Sequence, residues 1–133
     1  IVFGGDFIAG FPTEDEKAHQ KSIQLITEAN ITYIHVFPYS NRKNTPASNM
    51  PQVQKKIIQK RAKELRDLAE KQHNKFLVSQ IGTTQKVLVE NNSVGHSTNF
   101  SKIKLKEDVE ASTIVSTKIL EINPGGLLGT IRN

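Results

Sequence analysis

The sequence predicts an α/β fold followed by a small all-β module, and three observations carry that expectation. First, Asp6-Phe-Ile-Ala-Gly-Phe-Pro-Thr-Glu14 and Ile34-His-Val-Phe-Pro-Tyr-Ser40 share one grammar, an apolar strand that runs into a polar or Gly-Pro loop ahead of a helix. Second, a long Lys/Arg-rich segment with an apolar stripe follows them. Third, beyond Gly82 the chain shows short β-rich runs between turn residues with no helical periodicity.

In chain order, Val2-Phe3 and Phe7-Ile8-Ala9 are apolar runs of strand length. Thr13-Glu-Asp-Glu16 has capping-box spacing, with Thr13 placed to accept an amide and Glu16 to reach back. Ala18, Ser22, Leu25, Ile26 and Ala29 follow at helical spacing, so a helix is expected over about 14–29, with Asn30 at its end. Ile31 to Phe37, rich in β-branched and aromatic residues, makes the next strand. Residues 39–50 read as a loop, and Pro51 suits a first helical turn. Val53, Ile57, Ala62, Leu65, Leu68 and Ala69 form the stripe of a helix reaching about Phe76, which displays Lys55, Lys56, Lys60, Arg61, Lys63 and Arg66 on its other faces. Lys86–Glu90 is a strand, 91–95 a turn cluster, Phe100–Leu105 an imperfectly alternating strand, Thr113–Ile122 a further strand, and Pro124-Gly-Gly126 turns into Leu127–Ile131. That pattern describes a small barrel or sandwich, with the boundary near 74–80.

At 133 residues the chain accommodates one ordinary domain or two small ones. Its first residue, Ile1, leads almost directly into an apolar strand, which reads as a fragment or trimmed chain. No apolar run approaches the roughly 20 residues that span a bilayer, so no membrane role is expected, and a cytoplasmic setting fits. The absence of cysteine excludes disulfides, thiolate metal sites and a nucleophilic thiol. The net charge of +5 is uneven: −1 over residues 1–50, +5 over 51–75 and +1 over 76–133. Such a basic segment is either the footprint of a polyanion binder or a solvated helix face.

The carboxyl ends of strands are where α/β proteins handle ligands, which draws attention to the loops at 10–14 and 39–48. Asp6 and Glu14 bracket the first; a carboxylate there suits a ribose hydroxyl or an amine, although Glu14 also fits as a helix N-terminal charge. Gly10-Phe-Pro12 offers backbone that a flat ligand can approach, or forms an ordinary turn. Arg42, just beyond a strand end, could clamp a carboxylate or phosphate. His19, His35, His73 and His96 show no metal spacing. No catalytic triad, phosphate-binding Gly-rich loop or paired-carboxylate arrangement is present.

Two ordered motifs resemble the carboxyl-terminal part of the radical-SAM methylthiotransferases. The family's D-x-I-x-G-F-P-x-E-T stands here as Asp6-Phe-Ile-Ala-Gly-Phe-Pro-Thr-Glu-Asp15, and its Y-S-x-R-x-G-T-x-A as Tyr39-Ser-Asn-Arg-Lys-Asn-Thr-Pro-Ala47. His35-Val-Phe-Pro-Tyr-Ser40 resembles the branch that acts on threonylcarbamoyladenosine next to the tRNA anticodon. The likeness continues through Met50-Pro-Gln-Val53, the basic helix and a terminal region similar to the RNA-binding TRAM module.

The resemblance implies a division into 1–50, the last βα units of a TIM-like radical-SAM barrel, 51–75, a basic linker helix, and 76–133, a small OB-like TRAM barrel. It implies an enzyme that adds a methylthio group to carbon 2 of N6-threonylcarbamoyladenosine, using S-adenosylmethionine and two 4Fe-4S clusters. Asp6, Ile8, Gly10, Phe11, Pro12, Tyr39, Ser40 and Arg42 would face the cofactor or the modified base. Lys55, Lys56, Lys60, Arg61, Lys63, Arg66, Lys86, Lys102 and Lys104 would hold the anticodon stem-loop of tRNA by its phosphates. Three features depart from the family. Asn44 and Thr13 stand where Gly is usual, and the cluster-binding cysteines are missing. Cluster ligation is thiolate chemistry, so the chain alone is expected to be catalytically inactive. The amino-terminal portion of the enzyme would have to supply the clusters. A non-catalytic RNA-binding remnant is the alternative.

Overall fold

The computed structural model describes residues 2–132; Ile1 and Asn133 lie outside them. The chain divides into two compact units, one spanning Val2–His73 and the other running from Asn74 onward.

The first unit is built on two parallel strands, β1 (Gly4–Ala9) and β2 (Tyr33–Pro38), joined through helix α1 (Glu16–Glu28). The pairing sets Asp6 opposite His35, Phe7 opposite Val36 and Ile8 opposite Phe37. Because side chains alternate along a strand, one face carries Phe7, Ala9, Ile34 and Val36. That face packs with Ile26 and Ile31, and with Ala62, Leu65 and Leu68 of helix α2 (Lys55–Gln80). The opposite face presents Asp6, Ile8, His35 and Phe37, all exposed.

Several local expectations are corrected here. Val2 and Phe3 precede β1, and the Phe3 carbonyl instead accepts the Thr32 and Tyr33 amides at 2.9 and 3.2 Å. Thr13 does not cap α1: it takes a left-handed φ of 74°, and Asp15 is the N-cap, accepting the Ala18 amide at 2.7 Å. Glu16 therefore has no capping box to close, and it accepts from Gln20 at 2.9 Å. Pro51 lies outside α2, which starts at Lys55 and runs past the expected end to Gln80. The extension follows from packing, since Leu77 and Phe76 belong to the core of the second unit.

That second unit is a closed five-stranded barrel of β3 (Thr84–Asn91), β4 (Val94–Ser97), β5 (Lys102–Leu105), β6 (Ile114–Asn123) and β7 (Gly126–Ile131). The order around it is β3-β4-β5-β7-β6, with β3 pairing β6 to close; only β5 and β7 are parallel. Closure removes the free edges that a small sheet would expose. Val87, Val89, Ile103, Leu105, Ile119 and Leu127 point inward with Leu77, each buried side chain contributing roughly 1.5–3 kcal/mol. Two sequence readings differ from the barrel. Val94 and Gly95, read as the end of the 91–95 turn cluster, open β4, because Asn92 and Ser93 both adopt positive φ (46° and 59°) and make a tight two-residue hairpin turn. Phe100, taken as a strand residue, lies in the turn before β5.

Candidate functional site

Parallel pairing places the carboxyl ends of β1 and β2 side by side, so the two loops singled out in the sequence form one rim. The Tyr39 amide donates to the Ala9 carbonyl at 2.8 Å, and the rings of Phe11 and Tyr39 meet edge to face with centroids 5.5 Å apart. Asp6, Ile8, Phe11, Ser40 and Arg42 are exposed around this rim. Tyr39 is half-buried, and its hydroxyl has no hydrogen-bond partner among the described residues.

Gly10 and Pro12 are buried and do not offer the open backbone expected of them. Gly10 has φ 78°, and a Cβ there would stand 2.3 Å from Ile58 Cγ1, so the glycine is required by the close approach of α2. The loop is held by Glu14, whose Oε1 accepts the Gly10 amide and an Nη1 proton of Arg61, both at 3.0 Å. The same Arg61 nitrogen donates to the Glu14 carbonyl at 2.8 Å. Arg61 was expected among the cations that meet RNA; its side chain is only 7% exposed, and the guanidinium is turned into the protein. Glu14, read from sequence as a helix-end charge, is the hub of this network. A second arm reaches Glu16 at 3.5 Å. The Gln20 hydrogen bond, first among the causes, holds the exposed Glu16 carboxyl below its ordinary value.

The second loop keeps the backbone the motif calls for. Asn44 takes φ 66° although it is not glycine, as Asn can. The Thr45 hydroxyl donates to the Arg42 carbonyl at 2.8 Å and accepts the Ser48 amide at 3.3 Å, fixing the turn that carries Arg42.

The remaining predicted cations are exposed. At 3.6 residues per turn, Lys55, Lys56, Lys60, Lys63 and Arg66 fall within about 140° of arc on α2. Lys63 Nζ lies 2.8 Å from Asp67, and that hydrogen bond holds its ammonium pKa above the ordinary value. On the barrel, strand alternation turns Lys86, Lys102 and Lys104 outward while Val87, Ile103 and Leu105 turn inward. His19 and His96, which show no metal spacing, each meet a carboxylate: Glu64 at 2.8 Å and Glu90 at 2.5 Å. No group of three or more His, Asp or Glu side chains suited to a metal ion occurs among the described residues. No helix there is long and apolar enough to cross a membrane.

The geometry thus comprises a βα layer with one exposed strand face, an exposed row of basic side chains on α2 and outward-facing lysines on the barrel. No family model matches the chain, but individual relatives do. It is 42% identical to a threonylcarbamoyladenosine tRNA methylthiotransferase of Rickettsia prowazekii, over 94% of this chain and 30% of the relative. A probable threonylcarbamoyladenosine tRNA methylthiotransferase of Methanocaldococcus jannaschii is 33% identical over 98% of the chain and 30% of its own length. A tRNA-2-methylthio-N(6)-dimethylallyladenosine synthase of Wolbachia pipientis is 32% identical, over 97% and 32%. The chain belongs to the tRNA methylthiotransferase family. It spans about a third of the length of these relatives.

Proposed function

We propose that this chain is part of an enzyme that adds a methylthio group to carbon 2 of N6-threonylcarbamoyladenosine next to the anticodon of tRNA. The observation that carries this reading is the 42% identity, along almost the whole chain, to a relative named for that modification. In this reading the segment 1–50 belongs to a TIM-like radical-SAM barrel, and the uncovered face of β1 and β2 lines its interior. The closed five-stranded barrel is then an OB-like TRAM module, an architecture suited to nucleic acid.

The family's chemistry implies S-adenosylmethionine and two 4Fe-4S clusters. The chain supplies no thiolate for a cluster, having no cysteine. Its residues do not fit that group, and the clusters would be held by other parts of the enzyme. The strand face does fit an adenosine. Ile8 and Phe37 stand opposite each other in register and exposed, with Asp6 and His35 two pairs back on the same face. These apolar side chains would lie against the adenine, and Asp6 would accept a ribose hydroxyl. When bound, S-adenosylmethionine supplies the methyl group and a radical source. Ser40 and Arg42 at the rim would orient the modified base. The exposed lysines of α2 and the barrel would hold tRNA by its phosphates in the cytoplasm.

On its own the chain is then a non-catalytic RNA-binding piece of that enzyme. Two measurements test the reading. Loss of the gene should remove the methylthio group from threonylcarbamoyladenosine in digested tRNA while leaving methylthio-isopentenyladenosine intact; the reverse pattern would overturn the choice of substrate. The isolated chain should bind tRNA with an affinity that falls steeply with salt, and a salt-independent signal would count against the phosphate grip.

A further inference from the structure

One feature of the barrel's outer surface is used by neither the rim nor the phosphate grip. The turn between β4 and β5 carries Phe100, which is 74% exposed and has a left-handed φ of 68°. A bulky residue in that conformation is strained and is kept only where its surroundings impose it. The turn is firmly tied. The Phe100 amide donates to the Ser97 carbonyl and the Ser97 amide to the Ser101 carbonyl, both at 3.0 Å, and the Asn99 side-chain amide donates to Gln80 Oε1 at 3.0 Å.

Phe100 lies beside a depression of about 350 Å³ that is also lined by Leu88, Ile114, Lys86 and His96. Register explains the apolar floor: Leu88 of β3 pairs directly with Ile114 of β6 on one side and with His96 of β4 on the other. Leu88 and Ile114 are 49% and 68% exposed, because strand alternation points them away from the core. The next residue in that row, opposite His96, is Lys102. Lys86, two residues before Leu88 on β3, also lines the depression. The one carboxylate lining the depression, Glu90, is engaged by His96. An apolar shelf with an outward aromatic ring and lysines on the neighbouring strands complements an unpaired nucleobase whose flanking phosphates are anionic.

We propose that Phe100, Leu88 and Ile114 form a stacking shelf for an unpaired base of bound RNA, so that this unit prefers a looped strand to a duplex. The proposal deepens the tRNA reading above and rests on it. The base covers the ring and the two aliphatic side chains, while Lys86 and Lys102 meet the phosphates on either side. Discrimination comes from the unpaired base, because a paired one cannot leave its stack to reach the ring.

The test compares the affinity of this chain for an anticodon-arm hairpin RNA and for a fully paired duplex of equal length at one salt concentration. Phe100→Ala should weaken hairpin binding by about 5- to 150-fold and leave duplex binding and thermal stability unchanged. Phe100→Tyr should restore the hairpin preference, and Ile114→Ser should reduce it. If the unaltered chain prefers the hairpin and Phe100→Ala keeps that preference, the shelf is refuted while the tRNA reading stands. A chain that binds neither RNA refutes both. Self-association of the chain that is abolished by Phe100→Ala would assign the shelf to a second copy and also overturn the proposal.

Discussion

Arg61 separates the sequence reading from the structure most sharply, and Arg61→Met is the perturbation that tests it. Methionine retains much of the aliphatic volume but removes the guanidinium. Among the described residues the Glu14 carboxylate, 12% exposed, then keeps the Gly10 amide alone as a partner, and the Glu14 carbonyl loses its 2.8 Å donor. Removing one member of a buried ion pair typically costs about 3–5 kcal/mol. The Glu16 arm adds little because that carboxylate is exposed. The lower end, about 3 kcal/mol, is therefore expected for the unit Val2–His73. At roughly 0.05–0.15 kcal/mol per residue, such a unit has only about 4–11 kcal/mol of stability to lose. Urea denaturation read by amide hydrogen exchange separates this unit from the barrel. Lys60→Met, an exposed change on the same helix, should move stability by less than about 0.5 kcal/mol. It should also lower the slope of log affinity for tRNA against log salt by about 0.7–0.9 if Lys60 meets one phosphate. Equal stability of the two variants would refute the inward role of Arg61. So would an Arg61→Met chain that is fully stable yet impaired in tRNA binding.

Four further outcomes follow from the local geometry. Thr13→Gly should stabilise the first unit by about 0.5–1 kcal/mol in thermal melts, since it relieves a left-handed β-branched residue at some entropic cost. Asp15→Ala should cost about 1 kcal/mol and Thr13→Ala much less, the reverse of what a Thr13 cap requires. In the barrel, a Cβ on Gly129 would stand 2.4 Å from Thr117 Cγ2. Gly129→Ala should therefore cost about 1–3 kcal/mol, and Thr117→Ser should recover part of it in denaturant titrations. Glu107 is held below the ordinary carboxylate range first by the Thr130 hydroxyl, then by the Ile131 amide. Its contribution is complete above the unfolded-state value and lost as pH falls through the lowered folded one. Acid titration of barrel stability should show that loss, and Glu107→Gln should flatten it.

The parts of the fold legible in the sequence were those with strong periodicity. The apolar faces of α1 and α2 and the alternation of β5 are one-dimensional records of which side meets the core. Boundaries were less legible because they depend on partners distant in sequence. Helix α2 continues to Gln80 because Leu77 finds the interior of the barrel. The strand Val94–Ser97 was hidden behind Asn92 and Ser93, which read as generic turn residues until their paired positive φ made them a hairpin. Phe100 seemed to continue an alternating strand, and only the hydrogen-bonded turn turned it outward.

By itself the sequence determined the two-part architecture, the uneven charge, the two rim motifs and the lack of any thiolate for a cluster. Those are properties of residue type and spacing, which no folding step can alter. Tertiary structure alone decided which of these residues are free to act. Of six basic residues expected to face solvent on α2, it withdrew Arg61 to neutralise Glu14, and it closed Gly10 and Pro12 against the protein. A buried carboxylate needs a partner, and that partner lies 47 positions away along the chain. Spacing in the sequence carries no trace of a pairing that exists only once α2 has packed on the strands.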